Sequence, residues 1–222
     1  MCPQSGVNIC PPTLAEYIRN KGLCCPEQDF RNLSLEELEK VAVCLVKPER
    51  VRHVLGCRDT AVALAKRYGA EEIHAARAAL LHDVTKALDP ERQLALCREY
   101  GITLDSFSSE NPKTLHALTG SLVAEHLFGE CSAVVSAVRY HTTGKADMKL
   151  LEKIIYVADY MEPNRDFPGV EKLRALAYTD IDAALKLGLQ MTINMLKEQG
   201  REVSSESMDA LMWLRRKEET LC

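Results

Sequence analysis

The chain has 222 residues, with 28 Lys and Arg against 32 Asp and Glu for a formal charge of −4; 46% of the residues are hydrophobic and 27% charged. This is the balance of an ordinary globule, which argues against dominant disorder, and a net-acidic chain with no long Lys/Arg run argues against a nucleic-acid partner, whose phosphates call for a basic stripe. No stretch approaches the roughly 18 uninterrupted apolar residues of a membrane span, and the opening MCPQSGVNICPP lacks the charged and apolar regions of a signal peptide, so the expectation is a cytosolic protein with no membrane partner.

In chain order, residues 1–33 are rich in Pro and Cys and have little helical period outside PPTLAEYIRNKGL (11–23); they read as an appendage to a domain over 34–220. Ser34-x-x-Glu37 is a capping box opening a helix over 34–46. A helix over 50–68 places Val54, Cys57, Ala61, Leu64, Ala65 and Tyr68 on one face and stops at Gly69. Residues 71–83 are apolar nearly all round, as expected of a central, buried helix. Pro90 opens and Gly101 closes a helix over 90–100. Helices follow over 113–128, 131–141 and 148–161. EPNRDFPG (162–169) is a loop. Helices over 179–198 and 205–219 are Leu-rich and offer a face for a homodimer. There is no N-G or D-G hairpin, and aromatics are only 5%, poor material for sheets. The fold class is therefore all-α, a bundle of about eight or nine helices.

Nine cysteines with no C-x-x-C exclude a zinc knuckle or a thioredoxin-like motif. Cys44, Cys57 and Cys131 read as small packing residues. The histidines are more informative. His82 and Asp83 end the most apolar helix, where a carboxylate beside an imidazole is costly unless paired or bound to a cation. His53 starts the preceding helix, His116 shares a face with Gly120, Val123 and Leu127, His141 ends the Val134–Val138 stripe, and Asp159 lies on the apolar face of LLEKIIYVADY. Singly, each is ordinarily a hydrogen-bonded core residue or a cap. Together, four imidazoles and two carboxylates on core-facing sides have one economical partner, one or two divalent metal ions; without thiolate the set suits iron, manganese or cobalt, with zinc compatible. His74 and His126 read as solvated surface residues.

The order H … HD … H … H … D at 53, 82–83, 116, 141 and 159 resembles the HD-domain metal-dependent phosphohydrolase superfamily. HVLGCRDTAVALAKRYGA, ALLHDVTK, RYHTTGKADM and LLEKIIYVADYMEPNRDFPGVEKLR extend the likeness to the YqeK-type HD proteins, symmetrical diadenosine tetraphosphate hydrolases, over about 48–215. The resemblance implies a helical HD domain that cleaves dinucleoside polyphosphates to ADP (or GDP) products. It implies His53, His82, Asp83 and Asp159 as ligands of a principal ion, most fittingly iron. A second ion on Asp83, His116 and His141 is compatible, and His116 and His141 are equally suited to holding phosphate. Nucleotide contacts would fall on His53, Asp83, Val84, Thr85, Lys86, His116, His141, Thr142, Asp159 and Arg165, with His82, Asp83, Lys86 and His116 carrying catalysis. Lys86 and Arg165 suit phosphate binding, though a helix-end charge and a surface ion pair are their ordinary alternatives. Tyr140, Tyr160 and Phe167 are candidates to stack on a base. Residues 11–23 resemble the C-terminal tail of bacterial nicotinate-nucleotide adenylyltransferases, without that enzyme's catalytic parts. Another HD phosphatase or phosphodiesterase, a non-catalytic ADP/GDP sensor and a di-iron oxygenase stay open as alternatives.

Overall fold

The computed structural model describes residues 11–23 and 29–221; the opening segment read against a signal peptide, and Cys2, Cys10, Cys24, Cys25 and Cys222, lie outside them. Among the described residues the chain is helical with no strand: α1 (Pro12–Asn20), α2 (Leu35–Leu45), α3 (Val51–Tyr68), α4 (Glu72–Leu81), α5 (Pro90–Glu99), α6 (Ser106–Glu110), α7 (Leu115–His126), α8 (Ser132–Tyr140), α9 (Leu150–Met161), α10 (Val170–Ala177), α11 (Ile181–Glu198) and α12 (Ser205–Leu221). Short 3-10 turns at Pro48–Arg50 and Pro112–Thr114 lead into α3 and α7. The all-α class stands. The helix count exceeds the expected eight or nine because α6 and α10 are too short to show a clear period, and because α1 is added from the leading segment.

Local signals set the ends. The Ser34 hydroxyl accepts from the Glu37 amide, and the Glu37 carboxylate accepts from the Ser34 amide at 2.9 Å, closing the capping box on α2. Asp89 and Asp180 cap α5 and α11 in the same way, each accepting an amide three residues on. Gly69 ends α3 at φ 72°, a left-handed geometry that costs glycine nothing.

α4 is the centre. Ala75, Ala76, Ala78, Ala79, Leu80 and Leu81 are all buried, and the helix packs against α2, α3, α7, α8 and α9. Its alanines let those neighbours approach closely, so the residues that follow its C-terminus are delivered into the middle of the bundle. α1 joins the same core through Leu14, Tyr17 and Ile18, with the Tyr17 hydroxyl donating to the Leu45 carbonyl of α2. Cys57 is buried as expected, but Cys44 and Cys131 are exposed rather than packed. Cys44 falls between the Val41–Ala42 and Leu45 positions that form the buried stripe of α2, and Cys131 is the residue at which α8 starts. His126 is exposed and stacks on Tyr100, while His74 is half-buried with Nε2 3.8 Å from Cys131 Sγ. Among the described residues no helix is long and apolar enough to cross a membrane.

Candidate active site

Four helices and one turn converge on a buried cluster. His53 comes from the first turn of α3, His82 and Asp83 from the turn that ends α4, His116 from the start of α7, His141 from the end of α8 and Asp159 from the last turn of α9. His82 and Asp83 are fully buried, and His53, His116 and His141 nearly so. After α4, successive i→i+3 bonds (Lys86 amide to the Asp83 carbonyl at 2.9 Å, Leu88 to Thr85 at 3.0 Å) hold residues 82–88 in a tight turn. A polar network pins that turn: the Thr85 hydroxyl reaches the His116 carbonyl at 3.0 Å, Gln93 donates to the Thr85 carbonyl at 2.7 Å, and Thr119 donates to Gln93 at 2.5 Å.

The imidazoles all face the same way. Nδ1 of His82, His116 and His141 lies 2.6, 2.9 and 2.7 Å from the carbonyls of Ala79, Lys113 and Val138. Nδ1 of His53 lies 3.1 Å from Glu162 Oε1. Carbonyls and carboxylates only accept, so these partners assign the Nδ1–H tautomer, and each neutral ring turns its Nε2 lone pair inward. There the lone pairs meet: His53 and His82 Nε2 are 3.2 Å apart, and His116 and His141 Nε2 are 3.1 Å apart. Two acceptors at that distance repel unless a proton or a cation lies between them.

Asp83 straddles the two pairs. Its Oδ2 is 3.4 Å from His82 Nε2 and 3.7 Å from His53 Nε2. Its Oδ1 is 3.4 Å from His116 Nε2 and 3.8 Å from His141 Nε2. Asp159 Oδ1 closes the first pair, 3.1 Å from His53 Nε2. Ligand atoms of His53, His82 and Asp83, of His82, His141 and Asp159, and of Asp83, His116 and His141 fall in groups within 4.8 Å of one another, a spread that suits ligands about 2 Å from a common ion. Asp83 Oδ1 is also buried and accepts no hydrogen bond, although Lys86 Nζ is 3.2 Å away. An orphaned carboxylate oxygen among inward-facing lone pairs is the donor set of a metal centre, and the residues present fit one or two ions.

Charge and burial oppose each other throughout. Burial would raise the Asp83 carboxyl, but the electrostatic pull of His82, His141 and Lys86 around it outweighs burial and holds it well below the usual carboxylate range. Asp159 is held low in the same way, by His53 and His82. Burial, then Lys86 and His141, push His116 down to about 3, and His141 is lowered chiefly by burial. Burial pulls His82 down too, but Asp83 reverses it and the net shift is upward. Cys57, buried beside the cluster, stays a thiol, raised by burial and by Asp159 and Asp83, so no thiolate joins the donor set.

The other expected residues distribute as follows. Lys86 is brought in, its Nζ 3.2 Å from His116 Nε2. Arg165 reaches Asp159 Oδ1 at 2.6 Å and the Asp159 carbonyl at 2.9 Å. The Thr142 hydroxyl is 3.1 Å from His141 Nε2. Val84 and Thr85 are buried, the first in the hydrophobic core and the second in the network above. A cavity of about 660 Å³ opens beside the cluster, lined by Lys86, His141, Asp159 and Arg165 together with Tyr160 and Phe167. Tyr140 does not line it; its ring carries Lys145 and Arg139 instead. Two residues escaped the sequence reading: Arg50, whose guanidinium pairs with Asp83 Oδ2, and Glu162, the buried partner of His53. Glu162 lies three residues beyond Asp159, a spacing that carries one helical face into the loop; nothing in the sequence marks Arg50.

The HD domain family matches residues 50–164. The symmetrical bis(5'-nucleosyl)-tetraphosphatase of Halalkalibacterium halodurans is 40% identical over 172 residues, 75% of this chain and 91% of that protein. The protein of the same name from Bacillus subtilis is 36% identical over 166 residues, 74% of this chain and 89% of that one. A crystal structure from Clostridium acetobutylicum, described as a predicted HD superfamily hydrolase involved in NAD metabolism, superposes with a TM-score of 0.80 at 34% identity, covering 83% of this chain and 98% of that one.

Proposed function

Because this chain belongs to the HD-domain family, we propose that it is a symmetrical bis(5'-nucleosyl)-tetraphosphatase, splitting diadenosine tetraphosphate and water into two ADP. The observation that carries this reading is Asp83 lying between two pairs of inward-facing imidazoles, with a lysine and an arginine at the cluster's edge. His53, His82, Asp83 and Asp159 hold the principal ion, and Asp83, His116 and His141 a second. Bound there, a metal lowers the pKa of water towards about 7 and neutralises phosphoryl oxygens. Iron is the proposed metal because the resemblance to the YqeK-type proteins implies it; imidazole and carboxylate without thiolate are compatible with it, as they are with manganese, cobalt or zinc.

The protein's own groups do the rest. The Nδ1–H bonds to Glu162, Ala79, Lys113 and Val138 fix the rings, so Nε2 points inward with no reorganisation. The low pKa values of Asp83 and Asp159 keep both carboxylates ionised at neutral pH. Lys86 brings a positive charge to the phosphate chain next to Asp83 and His116. Arg165, held by Asp159 along one edge, offers a second cation with its remaining donors, and the Thr142 hydroxyl completes the contacts around His53, His116 and His141. One nucleoside lies in the large cavity, its base against Tyr160 and Phe167. In this reading residues 34–220 are the hydrolase unit, onto whose core α1 of the leading segment 1–33 packs rather than standing apart as an appendage, and the protein is cytosolic. Exposed Met212 and Trp213 on α12 supply a homodimer face.

Elemental analysis and product analysis on one preparation test the reading. One or two iron ions per chain and two ADP from each diadenosine tetraphosphate support it. AMP plus ATP, or released inorganic phosphate, would replace it with another HD activity; manganese, cobalt or zinc alone would replace the metal.

A further inference from the structure

A second cavity, about 450 Å³, opens on the other arm of the cluster. Lys86 borders both cavities, and His116 belongs to the second as His141 and Asp159 belong to the first. Both volumes fall in the roughly 300–1,000 Å³ range of ligand pockets. Their linings differ. The first is lined by Tyr160 and Phe167, ring centroids 5.2 Å apart, and by Met191 and Met195. The second has no Phe, Tyr or Trp in its lining: Lys47 and Lys113 join Lys86, with Leu88 and Pro112 among its apolar residues.

Lys86 faces Asp83 at 3.2 Å, but the charges of Lys47 and Lys113 are uncompensated. Among the described residues no carboxylate lies within ion-pair distance of Lys47 or Lys113. The one carboxylate in its wall, Asp89, is occupied by the Arg92 amide and guanidinium, each at 2.9 Å. Lys113 is also tied to the cluster, because its carbonyl holds His116 Nδ1. A charged lining, no stacking surface and a shared wall at the metal-ligating residues describe a place for phosphates, not for a base.

We propose that Lys47 and Lys113 form a second subsite that binds the departing nucleoside diphosphate through its phosphates, with little recognition of its base. The inference rests on the hydrolase reading above. A dinucleoside tetraphosphate lies across Lys86, with one nucleoside in the aromatic cavity and the distal diphosphate in the basic one. Water adds to one of the two central phosphorus atoms, the bridging P–O bond breaks, the leaving oxygen takes the electron pair, and the water proton passes to solvent. Because the second base is not read, adenosine 5'-tetraphosphate is a substrate as well: with water it gives ADP and pyrophosphate.

The test uses the metal-loaded full chain. Lys47→Glu/Lys113→Glu, at two exposed positions, is compared with the parent for diadenosine tetraphosphate turnover and for equilibrium binding of ADP. The expected result is a KM for the dinucleotide raised about ten-fold or more, as loss of charge-assisted contacts implies, with the tightest ADP affinity within about two-fold of the parent. Turnover of adenosine 5'-tetraphosphate by the parent is expected within about ten-fold of the dinucleotide, since only the weakly held base is missing. An unchanged KM, ADP affinity falling in step with KM, or no turnover of adenosine 5'-tetraphosphate would each overturn the subsite. A parent that hydrolyses no dinucleoside tetraphosphate would overturn the hydrolase reading itself, and the subsite with it.

Discussion

Glu162→Gln is the sharpest test of how the metal centre is held. Glu162 is almost fully buried, with Oε1 3.1 Å from His53 Nδ1 and Oε2 accepting from the Asn164 amide at 2.7 Å and its side-chain nitrogen at 2.8 Å. The carboxylate accepts on both sides at once. A glutamine cannot: turned to accept from His53, its NH2 faces the Asn164 amide, and turned the other way it faces His53 Nδ1–H. Losing one hydrogen bond to a charged group costs about 1.5–3 kcal/mol, and losing the outer partner of a ligating histidine typically weakens metal binding about 10–100-fold, or about 1.4–2.7 kcal/mol; the two ranges agree. Competition against a chromophoric chelator should therefore show metal affinity falling by that factor, while the variant stays folded. Gly56→Ala provides an independent approach. A Cβ there would sit 2.5 Å from Glu162 Oε2, so a change that ordinarily stabilises a helix by about 1 kcal/mol should instead displace Glu162 and lower metal affinity. Metal affinity within two-fold of the parent in Glu162→Gln would refute the claim that Glu162 positions His53.

Other outcomes follow from the same geometry. Phe167→Ala removes half of the aromatic wall; with base stacking worth about 1–3 kcal/mol, ADP affinity should drop about five- to 150-fold, and an unchanged affinity would move the base elsewhere. Arg165→Ala should raise the KM for diadenosine tetraphosphate more than it lowers metal content, as kinetics beside elemental analysis would show; unchanged kinetics would remove Arg165 from substrate binding. In metal-stripped protein, His116 (about 3) and His141 stay neutral in the fold, while unfolded imidazoles protonate below 6.5. The unfolded chain then binds more protons, so their stabilisation is present above 6.5 and is lost as pH falls towards 3. His82, raised, opposes this with stability present below 6.5 and lost as pH rises, one group against two. Urea unfolding from pH 7.5 to 5 should show stability falling with acid and a shallower fall in His116→Gln; stability rising towards pH 5 would contradict the assignment.

Much of this was legible without coordinates. The apolar faces of α3, α4, α7, α8 and α9 show which residues turn inward, and on or at the ends of those faces His53, His82, Asp83, His116, His141 and Asp159 stand out because burying them needs a partner. Periodicity reports that a residue is inside; it says nothing of what it meets there. That limit hid Arg50 and Glu162, which belong to a 3-10 turn and a helix end with no period to read, and α6 and α10, too short for one. Cys44 and Cys131 went astray for a related reason, since a small apolar residue gives little sign of facing core or solvent. Composition and spacing thus decided the helical class and the candidate metal-ligating residue types. Which nitrogen each ring presents, how Asp83 spans two pairs, and that two unlike cavities meet at Lys86 depend on the crossing of α3, α4, α7, α8 and α9, because those distances join residues far apart in sequence and only packing brings them within a few ångströms.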